Sequence, residues 1–115
     1  MSSVRHCFRL FVYGTLRRRF RNRHALLLAR SSEFIGLGRI RGRLYRLSRY
    51  PGIRLDSAEN TWIPGEVYRF KNLRFLTALD RYEGPEFERV IGKVARPDGS
   101  RLTCWIYQLT AEPSN

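Results

Sequence analysis

A carboxylate that ends a helix sits against the electrostatic grain of the chain, and the spacing around Glu83 puts it in that position. Leu73, Leu76 and Leu79 recur at about one turn, Asn72 can cap the start and Gly84 the end, so the pattern predicts a helix over 73–82. A carboxylate at its last turn faces the negative end of the helix dipole, at a cost of roughly 0.3–1 kcal/mol when exposed. The same field disfavours ionisation and moves the group toward the range of a general base, whereas the plain alternative is a solvated surface glutamate. The second candidate is Tyr13-Gly14-Thr15-Leu16. A strand running into Gly and Thr leaves successive backbone N–H groups unpaired, and such groups can hold a carboxylate or an oxyanion. Taken alone, the segment also reads as an ordinary strand exit. Arg17, Arg18, Arg19, Arg21 and Arg23 follow at once, either as a solvated basic face or as a steering field for an anionic substrate.

Other reactive types are placed less tellingly. Cys7 and Cys104 stand far apart, and His6 and His24 have no partner at fixed spacing, so neither a zinc set nor a Cys-His nucleophile can be assembled. Cys104 alternates with apolar neighbours and reads as a core residue. A disulfide between the terminal strands is geometrically conceivable, but a reduced compartment is the simpler reading. Glu66, Asp80, Glu86 and Glu88 are available as a second carboxylate, yet among so many arginines they read as salt-bridged or solvated.

The elements that must position these residues are mostly strands. Phe8 to Tyr13 alternates, with Phe8, Leu10 and Val12 on one side and Arg9, Phe11 and Tyr13 on the other. Phe20 to Arg30 is expected as a short helix capped by Asn22. Glu33 to Leu47 returns to alternation, with a slip at Tyr45 that suggests a bulge or bend. Tyr50-Pro51-Gly52 and the segment 56–61 read as turns around a short strand, and Pro64-Gly65 opens another strand, Glu66 to Phe70. Arg96-Pro97-Asp98-Gly99 carries the residues of a type I turn, so Arg89 to Arg96 and Arg101 to Leu109 should form a hairpin, followed by a loose tail. Six strands and two helices without regular alternation of strand and helix point to an α+β fold with a mainly antiparallel, closable sheet.

With 115 residues, 43% of them hydrophobic, the chain has the material for one modest core, and a single domain over 1–115 with its ordered part at about 8–109 is expected. The net charge of +12 comes from 20 Arg and 2 Lys against 10 acids. Replacement of Lys by Arg is as much a mark of a GC-rich genome as of a binding task, although the field attracts phosphates, carboxylates and anionic surfaces all the same. No RNP-like signature or zinc finger accompanies the charge, so a nucleic-acid-binding module is the rival reading and not the preferred one. No apolar run nears the roughly 20 residues of a membrane span, and a cytoplasmic location is expected.

Phe11-Val12-Tyr13-Gly14-Thr15-Leu16-Arg17-Arg18, Gly65-Glu66-Val67-Tyr68 and Leu79-Asp80-Arg81-Tyr82-Glu83-Gly84 occur in that order, with Arg89 and Trp105-Ile106-Tyr107 after them. Together they resemble the gamma-glutamylcyclotransferase-like family, of the gamma-glutamylamine cyclotransferase type, from about Phe8 to Leu109. The resemblance implies a small, mainly antiparallel β-barrel of about six strands flanked by two helices. It further implies that Tyr13, Gly14, Thr15 and Leu16 cradle the glutamyl group of a small-molecule substrate, and that Glu83 is the acid/base. The implied reaction is an intramolecular cyclisation to 5-oxoproline with release of an amine or amino acid, without metal or cofactor. Arg19 stands where relatives often carry Gly, and Phe87 where many carry Tyr, a lost hydroxyl that could alter the pocket. A member that binds a small anion without catalysis is the alternative within the family.

Overall fold

The computed structural model describes residues 7–13, 23–46 and 51–113. Gly14, Thr15 and Leu16, the arginine run over 17–21, the Asn22 cap and His6 lie outside the described residues. In chain order the elements are β1 (Arg9–Val12), α1 (Arg23–Ser31), β2 (Ser32–Arg46), β3 (Pro51–Leu55), β4 (Trp62–Phe70), α2 (Arg74–Glu83), β5 (Phe87–Ala95) and β6 (Arg101–Leu109). The strands lie side by side in the order β3-β2-β4-β1-β6-β5, and a further β2–β5 pairing closes five of them into a barrel with β3 as an extra strand. The barrel is mixed, because β1 and β6 run parallel while every other pairing is antiparallel.

The alternation in β1 sends residues to two different apolar environments. Leu10 and Val12 pack outward with Leu28 of α1 and Phe75, Leu76 and Leu79 of α2, whereas Phe11 points into the barrel with Ile40, Ile53, Ile63, Val67, Val94, Cys104 and Ile106. Each such side chain stabilises the fold by roughly 1.5–3 kcal/mol when fully buried. Cys104 is thus a core residue, as its neighbours in sequence suggest, and burial pushes its thiol up to about 12. Cys7 and Cys104 are both free and both buried.

The turns and bulges depart from expectation in instructive ways. Pro51 and Gly52 belong to β3 instead of forming a turn before it. In that strand the N–H groups of Ile53 and Leu55 point away from β2, to Tyr13 Oη at 3.3 Å and Gln108 Oε1 at 3.0 Å. Pro51 has the same parity, so its missing donor falls on this edge and not on the β2 ladder. β4 likewise runs straight through Pro64 and Gly65. Phe70 N donates to Phe8 O at 2.9 Å, which sets the even residues of β4 to donate toward β1, and Pro64 lies beyond the last β1 pair, Val12 with Glu66. No bulge occurs at Tyr45, which pairs regularly with Gly52; the slip lies between Phe34 and Gly36, where glycine tolerates a φ of 147°.

The hairpin of β5 and β6 closes as its turn residues dictate, with Gly99 N donating to Arg96 O at 3.0 Å and Ser100 N to Asp98 Oδ1 at 2.9 Å. Its first strand begins at Phe87, two residues before the expected start. Among the described residues no helix is long and apolar enough to cross a membrane.

Candidate active site

Helix α2 delivers Glu83. Phe75, Leu76 and Leu79 bury one face against the sheet, and Asp80 and Glu83 extend that face as the i+4 neighbours of Leu76 and Leu79. The cap position beside the helix start is Leu73, without a side-chain bond, while Asn72 one residue earlier supplies the oxygen, accepting from Arg74 N at 3.0 Å. At the other end Gly84 adopts φ 81° and its N–H returns to Asp80 O at 3.2 Å, which stops the helix on Glu83.

The Glu83 carboxyl is raised from 4.5 to about 7, first because it is buried and second because Asp80 stands one turn away with its own negative charge. Among the described residues it has no ion-pair partner, although Arg81 and Arg89 are close in sequence. Arg89 is taken by Asp80: Nε and Nη2 donate to the two carboxylate oxygens at 2.8 and 3.1 Å. Tyr107 adds its hydroxyl to Asp80 Oδ1 at 2.6 Å. Arg89 and Tyr107 face each other directly across the β5–β6 ladder, so one cross-strand pair presents two donors to one carboxylate. Burial pushes the Asp80 carboxyl up, but the hydrogen bonds from Arg89 and Tyr107 and the Arg89 charge outweigh it and hold the group below its ordinary value. Two carboxyls one turn apart are therefore driven in opposite directions, one kept ionised and one brought to the edge of ionisation at neutrality.

Tyr13 comes to the same region from β1. Its side chain follows Phe11 toward the barrel interior, and its hydroxyl donates to Tyr107 O at 2.6 Å while accepting from Ile53 N at 3.3 Å. Burial raises the phenol first of all, and the charge of Glu83 adds to the rise; Tyr107 is raised by burial, by its bond to Asp80 and again by Glu83. The end of β1 and the end of α2 thus share one electrostatic neighbourhood. Because the Tyr13 hydroxyl is engaged by both β3 and β6, this side chain pins the strand exit. Gly65 protects the same exit, since a Cβ there would lie 2.3 Å from Val12 O.

Of the other acids, Glu88 pairs with an arginine as expected, whereas Glu66 is buried instead of solvated and meets a tyrosine hydroxyl. Glu88 lies 3.8 Å from Arg54 and accepts from Gln108 Nε2 at 2.9 Å, and Glu66 is buried opposite Val12 with Tyr68 Oη donating to it at 3.1 Å. Phe87 packs against the helix-facing cluster. Sequence reasoning missed Tyr107 as a member of the site and gave Asp80 no more than a structural ion pair. The available signal was the parity of β6, which sends Trp105, Tyr107 and Leu109 to one side; a buried tyrosine there requires an acceptor.

The model of the gamma-glutamyl cyclotransferase, AIG2-like family matches residues 10–115. Among solved structures the chain is similar to YkqA from Bacillus subtilis, at 30% identity and a TM-score of 0.72 over 89% of this chain and 35% of that one. It is similar to an AIG2-like protein from Mus musculus at 23% identity and a TM-score of 0.78, over 94% of this chain and 80% of that one. A third structure, named gamma-glutamyl cyclotransferase, aligns with a TM-score of 0.69 at 23% identity, over 90% of this chain and 66% of that one. The chain spans about a third of YkqA, 35% of its length. No curated protein sequence matches it.

Proposed function

Because the chain belongs to the gamma-glutamyl cyclotransferase, AIG2-like family, we propose that it cyclises a gamma-glutamyl amine or peptide to 5-oxoproline, with Glu83 as its acid/base. The observation that carries this reading is a partly buried carboxyl pushed up to about 7, without an ion-pair partner among the described residues, whose charge reaches Tyr13 at the exit of β1. The α-amine of the substrate attacks its own γ-carbonyl carbon, forming the ring C–N bond. The C–N bond to the leaving group then breaks, and 5-oxoproline and an amine or amino acid depart. Glu83 takes the proton from the attacking nitrogen and gives it to the leaving nitrogen, so one carboxyl serves both halves. An α-amine titrates at about 7.7–8.0, and an ordinary glutamate lies about 4 below it; at about 7 Glu83 is within about one of the amine, which makes removal of the proton from that nitrogen nearly isoenergetic.

Positioning supplies the rest of the acceleration, because the substrate must fold on itself before its amine meets the carbonyl. The main chain of Tyr13, Gly14, Thr15 and Leu16 is the proposed cradle for the glutamyl group, with Tyr13 fixed through its hydroxyl to Tyr107 and Ile53. The net charge of +12 favours arrival of an anionic substrate. The purified protein is to be incubated with gamma-glutamyl amines, gamma-glutamyl dipeptides and glutathione, with 5-oxoproline as the readout. Turnover of at least one class is expected, falling roughly 10²–10⁴-fold in Glu83→Gln. Absence of product from every class, or undiminished turnover by the variant, removes the proposal.

A further inference from the structure

Strands β2 and β5 join at one residue pair, Arg39 with Ala95, and no ladder continues from it. Beside this joint lies a cleft of about 360 Å³ that shares no residue with the Glu83 site. That volume lies within the range of small-molecule sites, roughly 300–1,000 Å³. Its lining has two characters. Ile40, Leu55 and Ile91 give an apolar surface, and Trp62 stands with them. The Arg39 and Arg41 guanidinium carbons lie 4.6 and 4.8 Å from the Trp62 ring centroid, which fixes the indole at the cleft.

The second character is charge. Arg41, Lys93 and Arg101 line the cleft against a single carboxylate, Asp56. Arg41 Nη1 donates to Ser57 O at 3.1 Å and Lys93 Nζ to Thr103 Oγ1 at 2.6 Å, bonds that hold the two cationic heads in place and use one donor of each. Arg101 has no acceptor among the described residues, and Asp56 Oδ1 is engaged by Ala58 N at 2.9 Å. Among the described residues, the cleft thus has two more cationic side chains than carboxylates beside its apolar surface. A phosphomonoester carries about −1.5 to −2 at neutral pH and three acceptor oxygens, which matches both the charge and the donors.

We infer that this cleft binds a phosphomonoester with an aromatic or apolar body of about mononucleotide size, the phosphate on Arg41, Lys93 and Arg101 and the body against Ile40, Leu55, Ile91 and Trp62. Adenosine 5′-monophosphate is a suitable probe, titrated into the ¹⁵N-labelled full chain with adenosine and inorganic phosphate as separate arms. The amides of Ser57, Gly92 and Arg101 are expected to shift with the nucleotide, and each fragment alone to bind at least about tenfold more weakly, as loss of a charge-assisted contact or of the apolar body requires. Lys93→Glu and Arg101→Glu should each weaken the nucleotide about tenfold or more. Arg30→Glu, an equal change of net charge on α1, should leave it unchanged, and the same spectra report whether each variant is folded. No shift at the cleft up to millimolar nucleotide overturns the inference. So does equal weakening by Arg30→Glu, inorganic phosphate binding as tightly as the nucleotide, or shifts confined to residues around Glu83.

Discussion

Asp80→Asn separates the two carboxyls of the site while keeping their shapes. Residues at i and i+3 of a helix are about 5–6 Å apart, so two unit charges there repel by about 3 kcal/mol at an effective dielectric constant of 20 and by about 0.7 kcal/mol in water. Asp80 is partly open, its side chain 41% exposed, which places the coupling between these limits. A repulsion of about 1–1.5 kcal/mol corresponds to about one pH unit. Burial outranks Asp80 in lifting Glu83 from 4.5 to about 7, so the greater part of the rise should survive and the carboxyl should titrate at about 6. Removing a negative neighbour favours the ionised form, and Arg89, released from Asp80, acts in the same direction. The acidic limb of catalysis, where kcat/KM for 5-oxoproline formation falls as Glu83 becomes protonated, should therefore move further toward acid by about one unit. Carbon-detected NMR titration of the Glu83 carboxyl gives the same quantity if turnover is lost. Loss of the half-exposed Arg89 pair should cost about 1 kcal/mol of stability, leaving the fold intact. A limb that stays near 7, or moves toward alkali, would refute the assignment of Asp80 as the group that tunes Glu83.

Two further outcomes follow from the same neighbourhood. Since the folded-state value of Glu83 lies above its ordinary 4.5, its contribution to stability is full below that pH and is lost as pH rises through about 7; urea unfolding at pH 5 and pH 8 should show Glu83→Gln more stable than the native chain at pH 8 by about 1–3 kcal/mol, and a variant no more stable at pH 8 speaks against a buried acid. Tyr13→Phe removes the hydroxyl that joins β1 to Tyr107 and Ile53 and should lower stability by about 1–2 kcal/mol, with kcat of the folded enzyme changed less than tenfold; a loss on the scale of Glu83→Gln would give the phenol a chemical role.

Local signals were sound where the physics is local. Asn72, Gly84 and the Leu73, Leu76, Leu79 row delimit α2 to within a residue, and the Arg96-Pro97-Asp98-Gly99 turn forms as composition demands. Proline misled twice, at 51 and 64, because its missing donor matters only on the side where a neighbour strand lies, and single-chain periodicity does not know its neighbours. The parallel pairing of β1 with β6 was equally invisible, being a contact across most of the chain. For the candidate site, the place of Glu83 at the end of α2 was readable, but the causes that raise its carboxyl are burial and Asp80 and not the helix dipole. Asp80, Arg89 and Tyr107 could not be joined from sequence alone, since their meeting depends on the β5–β6 register and on how α2 lies across it.

The seams of the barrel are unequal: nine cross-strand pairs hold β5 to β6, while single pairs join β5 to β2 and β1 to β6, the latter seam reinforced by bonds from the Arg9, Tyr13 and Trp105 side chains to main-chain oxygens across it. A ring takes up deformation at its least-tied joint, here the one between β2 and β5. Thermal breathing should gape at the Arg39 end of the wall, whereas Arg89 and Tyr107 ride on one stiff two-stranded plate. The wall can flex to admit or expel a molecule without altering the spacing on which proton transfer at Glu83 would rely.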